Sequence, residues 1–381
     1  MRSGGANSLR RRNFFAGVAT LVAVEPTSLV VLTSAKTDDR SGAAWQAVLE
    51  PFTKLECVIS DGAKGIAAGV QAVVGKRADA AKKSQSNALP LEHGLDVFHT
   101  NYEASRVLAG PWRRLESAWD EAEEADAKVA AEKRCGRDAR GVASHARHAW
   151  ERVEQLFTEY EEQNSAWQRA RSALAVFRPD GSLNDRTWAE SEIRVALTQL
   201  TDAKWKKVRN FLLDTRSLVF LDRLHRRLAE AEPDVSLRTA CVERWRLRHH
   251  RASSSATSLV GSLLEAKIRD GVLSPEEQAS YERVSKVLRT TVRASSAVEG
   301  MNSVLRMQQG RHRRMTQGLL DLKRLYWNSR RLQTGPRRGS SPYELLGAKL
   351  PSTDFWTLLQ TVGIKPVAEP TESLSNQADA T

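Results

Sequence analysis

The sequence predicts an α/β fold, a mixed sheet region followed by a long helical region. Two observations carry that prediction. Residues 14–75 read strand, strand, helix, strand, helix, a mixed α/β order. From residue 101 the chain changes character, with alternating charges and with aliphatic and aromatic residues three and four apart, the spacing of long helices. The size permits both parts: 381 residues, 41% hydrophobic and 27% charged, are enough for two or three domains with a sizeable core.

The segments GVATLVAVE and SLVVLTSA predict two strands around a tight turn at Pro26-Thr27. SGAAWQAVLE, residues 41–50, predicts a short helix with Ser41 near its N-cap. LECVIS predicts a strand that ends on Asp61, and KGIAAGVQAVV the helix after it. Residues 75–90 are small and polar and read as a loop. LEHGLDVFHT reads as a strand running into a helix. Two glycines in AEKRCGRDARG, 131–141, predict the bend of a helical hairpin, and RPDGSLN, 178–184, a turn. Helical patterns resume over 187–232, break at Pro233 and continue to about 250. ASSSATS, 252–258, reads as a loop or helix start. Ser274, Pro275 and the acids behind them make a strong helix start. A helix over TQGLLDLKRLYWNSRRL follows, and the tail after 364 has a disordered composition.

The charge balance narrows the partners. There are 58 Lys and Arg against 46 Asp and Glu, a net charge of +12. Such an excess favours a polyanion, nucleic acid before an anionic membrane. The excess is local: 116–132 is acidic, whereas 204–251 and 306–338 are arginine-rich. Three scattered cysteines without a CxxC pair predict no structural zinc and fit a reduced, cytoplasmic setting. No segment has the ~20 apolar residues that span a bilayer. The basic patch and apolar run of SLRRRNFFAGVATLVAV do resemble a twin-arginine export signal, with LTSA, 32–35, as a cleavage site. An exported helical protein is therefore one alternative, against which Glu25-Pro26 interrupts the apolar run.

Two segments stand out for chemistry, VISDGAKGI around Asp61 and SSAVEGMNSVLR around Glu299. Asp61 ends an apolar strand, where it reads either as a helix cap or as a metal ligand. Glu299 opens a helix, with Asn302 and Ser303 one turn on and Arg306 after them. With LDVFHT, which holds Asp96 and His99, and GSSPYELLG, 339–347, these segments resemble, in the right order, the motifs of DDE-type transposases of bacterial insertion sequences. The likeness covers roughly residues 14–350.

The resemblance implies an RNase H-like mixed-sheet core interrupted by a large helical insertion. Its parts would be a basic arm over 1–13, the first part of the core over 14–100, the insertion over 101–290, the second part of the core over 291–350 and a tail over 351–381. It implies that Asp61 and Glu299 hold Mg²⁺ or Mn²⁺ and are the catalytic carboxylates. Cleaving a phosphodiester and joining its 3′-hydroxyl to another phosphate is work for two hard cations about 4 Å apart, which take oxygen ligands. The family's first aspartate belongs on a strand before the hairpin. Here Arg11 and Arg12 stand in that region, and no acid precedes Glu25. The expectation is an N-terminally truncated, transposase-derived protein with weak metal binding and impaired or absent catalysis. A non-catalytic DNA-binding remnant or regulator is the alternative.

The expected partner is DNA, at transposon ends and target, and a homo-oligomer is compatible with the family. Arg306, Arg311, Arg313, Arg314, Lys323, Arg324, Arg330 and Arg331 flank the Glu299 helix and are the phosphate-contact candidates. Trp245 and Arg246, in ERWRLRHHR, form a second basic cluster. In the family an aromatic residue of the insertion stacks on an unpaired base, a role open to Trp245 beside ordinary helix packing. GAKGIAAG lacks the spacing of a phosphate-binding glycine loop.

Overall fold

The structure, a computed structural model, describes residues 19–84, 91–249, 274–293, 296–311, 315–352 and 354–363. It is mostly helical, with two small two-stranded sheets. Along the chain run β1 (Ala19–Val24), β2 (Val31–Thr37), α1 (Gly42–Leu49), β3 (Cys57–Ser60), α2 (Lys64–Ser84) and β4 (Glu92–Leu95). The long helices α3 (Val97–Arg134) and α4 (Arg140–Ala173) follow, then α5 (Arg186–Gln199), α6 (Lys206–Leu213), α7 (Val219–Ala231) and α8 (Val235–His249). After them come α9 (Pro275–Arg289), α10 (Ser296–Arg311), α11 (Gln317–Ser329), α12 (Pro342–Leu346) and α13 (Phe355–Gly363). The chain divides into two compact units, one formed by residues up to Arg40 together with those from Ala297 on, the other by Ser41–Ser296.

In the smaller unit β1 and β2 form the antiparallel hairpin the sequence predicts, with Leu21 opposite Ala35. Glu25 closes its turn by accepting the Thr27 and Ser28 N–H groups at 2.9 and 2.6 Å. Val22 and Val31 bury one hairpin face against Leu305 of α10 and Leu320 and Trp327 of α11. Asn328, also buried, clamps the start of β2: its Oδ1 accepts the Val31 N–H at 2.8 Å and its Nδ2 donates to the Val31 carbonyl at 3.0 Å.

In the larger unit β3 and β4 are parallel, in register from Cys57 opposite Glu92 to Ser60 opposite Leu95. Ser41 caps α1 by accepting the Ala44 N–H, as expected. Helix α2 runs nine residues beyond the expected loop start at 75, to Ser84. Residues 76–84 are Ala, Lys, Arg, Asp and Ser without a proline or a further glycine, so nothing stops the helix. Leu49, Ile66, Val70, Val73 and Leu91 close the core between α1, α2 and the sheet.

The predicted hairpin bend lies at Cys135–Ala139, where Gly136 takes a φ of 67°. Along the α3–α4 hairpin Ala118 and Ala122 pack with Val153, and their small side chains let the helices approach closely. The acidic residues between them face solvent, as expected for 116–132. At the base of the hairpin Ala104, Ala170, Ile193, Trp205, Val208 and Leu221 form the largest core cluster. Ser274 and Glu277 make a reciprocal capping box at the start of α9, with Pro275 at the first helical position. Of the three cysteines Cys135 is exposed and Cys57 half-buried, and burial pushes the Cys241 thiol up. No helix among the described residues is long and apolar enough to cross a membrane. The segments 1–13 and 252–258 and the tail after 364 lie outside the described residues.

Candidate functional site

Asp61 follows the last residue of β3. Its carboxylate is exposed, and its Oδ1 accepts the Ala63 N–H at 3.1 Å, so it closes the turn into α2. Gly62 adopts a φ of 74°, where a side chain would be strained, and a Cβ there would sit 2.9 Å from Leu95 Cδ2. The neighbouring strand ends in the same way. The Asp96 N–H donates to the Ser60 carbonyl at 2.7 Å, and Asp96 Oδ1 accepts the Phe98 N–H, capping α3. Asp96 is buried, whereas Asp61 and His99 are exposed. Asp61 and Asp96 thus stand at the carboxyl edge of one parallel strand pair, where α/β sheets commonly place ligands.

Around this edge the structure assembles residues that the sequence did not single out. Ser60 Oγ lies 2.8 Å from His93 Nε2 on the adjacent strand. On the other side of the ring, Arg216 Nη1 lies 3.2 Å from His93 Nδ1. Arg216 in turn grips the Asp214 carboxylate through Nε at 3.0 Å and Nη2 at 2.6 Å. Burial and the Arg216 charge push the His93 pKa down to about 4, against the pull of Asp214 and Asp61. The ring is therefore neutral at physiological pH. Arg216, with its own hydrogen bonds ahead of its charge, holds the Asp214 carboxyl below the usual carboxylate range.

A serine, a histidine and an aspartate in one row suggest a nucleophile relay, but the arginine forbids it. A guanidinium only donates, so Nδ1 must accept and the ring proton sits on Nε2, facing Ser60. A nitrogen that already bears a proton cannot take one from Ser60, and Asp214 holds the arginine, not the imidazole. The arrangement orients; it does not activate.

The same pKa has a consequence for stability. Between about pH 6.5 and pH 4 the unfolded chain binds a proton at His93 that the folded chain refuses, so stability falls as the pH drops through that window. His93 is only half-buried, and solvent screening limits the loss to about 1 kcal/mol. Urea unfolding of wild type and His93→Gln at neutral pH and near pH 4.5 checks this, the glutamine chain losing less.

The other predicted residues fall as follows. Glu299 is exposed in the first turn of α10, where the helix dipole favours a carboxylate. It belongs to the smaller unit and Asp61 to the larger. Arg306 is exposed on α10. The Arg311 side chain, Arg313 and Arg314 lie outside the described residues. Lys323 is half-buried on α11. Arg324 donates to the Leu32 carbonyl at 3.2 Å and pairs with Asp321 at 3.3 Å. Arg330 lies over the Tyr326 ring, and Arg331 pairs with Glu344 at 3.4 Å.

In the larger unit Trp245 is half-buried and stacks on Phe177 and His249, with ring centroids 5.8 and 4.5 Å away. Of its two expected roles the structure shows the packing one. Arg246 lies against the turn at Gly181, where a Cβ would come within 2.7 Å of its Nη1.

Among the described residues no three of His, Cys, Asp and Glu gather as a metal-holding group. Asp61 offers one hard oxygen donor set, with one oxygen already engaged by Ala63. By itself that does not make a divalent-metal site within the larger unit, and no chemical step through a metal follows from it. No protein-family model, curated protein or solved structure matches the chain.

Proposed function

We propose that this is a transposase-derived, DNA-binding protein with an RNase H-like ancestry, related to the metal-dependent cleavage and joining of insertion-sequence ends and impaired in that chemistry as its sequence stands. The observation that supports it most is Asp61, an exposed carboxylate at the carboxyl end of a parallel strand, beside a second strand that runs into the DVFHT segment. Glu299, exposed at the start of a later helix, supplies the second acid of the motif set. The basic run from Arg306 to Arg331 gives the chain a means of holding phosphates without reading sequence. The impairment follows from Arg11 and Arg12, which stand where the resemblance places an acidic residue.

Two measurements test this. Incubated with Mg²⁺ or Mn²⁺ and a duplex carrying the ends that flank its gene, the chain is expected to show little or no nicking. Robust cleavage lost in Asp61→Ala or Glu299→Ala would keep the family reading and overturn the impairment. Neutralising Arg311, Arg313 and Arg314 together is expected to weaken duplex binding and to flatten the log–log salt dependence by about 2 to 3. Unchanged affinity and slope would remove the phosphate-holding role of that segment.

A further inference from the structure

We propose that Arg216 and His93 form a positioning latch through which the helical region sets the turn that carries Asp61. The inference rests on the reading of Asp61 as the strand-terminal carboxylate of a DNA-processing site.

Arg216 lies in the short 3₁₀ turn Thr215–Leu218 between α6 and α7. Asp214 occupies its Nε and Nη2, which fixes the guanidinium plane and leaves Nη1 facing His93. Because that N–H can only donate, the imidazole has one allowed tautomer, with its proton on Nε2. The Nε2–H donates to Ser60 Oγ at 2.8 Å. The same oxygen accepts the Gly62 N–H at 3.2 Å. The bonds therefore run in one direction, from Arg216 to His93 to Ser60, and Ser60 and Gly62 bracket Asp61. Asp61 closes the turn itself by taking the Ala63 N–H.

The rest of this surface is tied in the same sense. Arg226 grips Glu92, the residue before His93, with Nη2 2.9 Å from both carboxylate oxygens. Arg223 reaches Glu56, just before β3, at 2.5 Å. Two strands of four residues are marginal alone, and side chains from the Thr215–Leu218 turn and α7 of the helical region pin both of them. Of these ties only the His93–Arg216 bond leads to the Asp61 turn. Arg216 and His93 are positioning residues; neither is placed against a substrate.

The test uses the full chain without DNA or metal. Hydrogen exchange read by mass spectrometry is expected to speed up about tenfold or more over residues 61–65 in Arg216→Gln and in His93→Leu, while the α4 and α5 peptides stay protected. His93→Gln, which keeps an N–H donor near the position of Nε2, is expected to restore wild-type protection. Nitrogen-15 NMR of the wild-type histidines is expected to show His93 as the Nε2–H tautomer, the state the Arg216 donor requires. Unchanged exchange over 61–65 in both disruptive variants, or a wild-type His93 protonated on Nδ1, would overturn the latch. A wild-type chain that neither binds nor cleaves duplex DNA would instead strike the DNA-processing reading and leave these measurements as they are.

Discussion

Trp205→Ala is expected to destabilise the larger unit by about 3–5 kcal/mol. Trp205 has no exposed surface and sits in the largest core cluster, with Trp167, Ile193, Val208 and Leu221 among its members. Its indole N–H donates to Gln163 Oε1 at 3.1 Å, so truncation removes a packed ring and strands a polar partner. A domain is stable by only about 5–15 kcal/mol, so a loss of this size takes a large share of the margin. Denaturant unfolding followed by far-ultraviolet circular dichroism measures it. Trp356→Ala is the matched control. That side chain is 67% exposed, and its removal is expected to change stability by less than about 0.5 kcal/mol. Similar losses in the two variants would contradict the assignment of Trp205 to the core.

Asn328→Ala is the second large effect, and it acts in the smaller unit. One side chain, Asn328, bonds both the N–H and the carbonyl of Val31. Removing it takes two hydrogen bonds from buried backbone groups, at a cost of about 2–4 kcal/mol. Among the described residues this sheet has two strands, which adds to its dependence on α11. Asn328→Leu is expected to rescue little, because it fills the space without restoring the bonds. Asn328→Asp keeps the acceptor but turns a carboxylate towards the Val31 carbonyl, and is expected to be no better than alanine. Amide exchange at Val31 and the denaturation midpoint read the effect. A protected Val31 amide in the alanine variant would show that the clamp is dispensable.

Local signals in the sequence foretold local structure. Ser41 and Ser274 cap their helices because a hydroxyl before an apolar-periodic run has one natural use. Asp61 was legible as the end of a strand because the apolar run stops there and a glycine follows, and the structure gives that glycine a positive φ. The end of α2 was misplaced because small polar residues also make good helix. Contacts made by distant parts of the chain were not legible. His93 sits inside an unremarkable strand pattern, and its partner Arg216 is 123 residues away. Trp245 was legible as an aromatic among arginines, yet one of the two rings stacked on it, Phe177, comes from another part of the chain. Glu299 was found by motif alone. Its surroundings depend on which apolar residues of α10 turn inwards, Met301, Val304 and Leu305, and that is settled by tertiary packing.

The long hairpin of α3 and α4 also has the dimensions of a lever arm. Thirty-eight residues of helix extend about 57 Å at 1.5 Å per residue. One end is anchored at Asp96, the cap beside the Asp61 turn, and the other carries Cys135, the one exposed thiol among the three cysteines. A tilt of about 5° at the anchored end would carry the far tip through about 5 Å, a displacement set by that length. A thiol-reactive label would therefore settle on Cys135 and magnify small rotations at the sheet edge into a motion large enough for fluorescence or spin-label spectroscopy to follow.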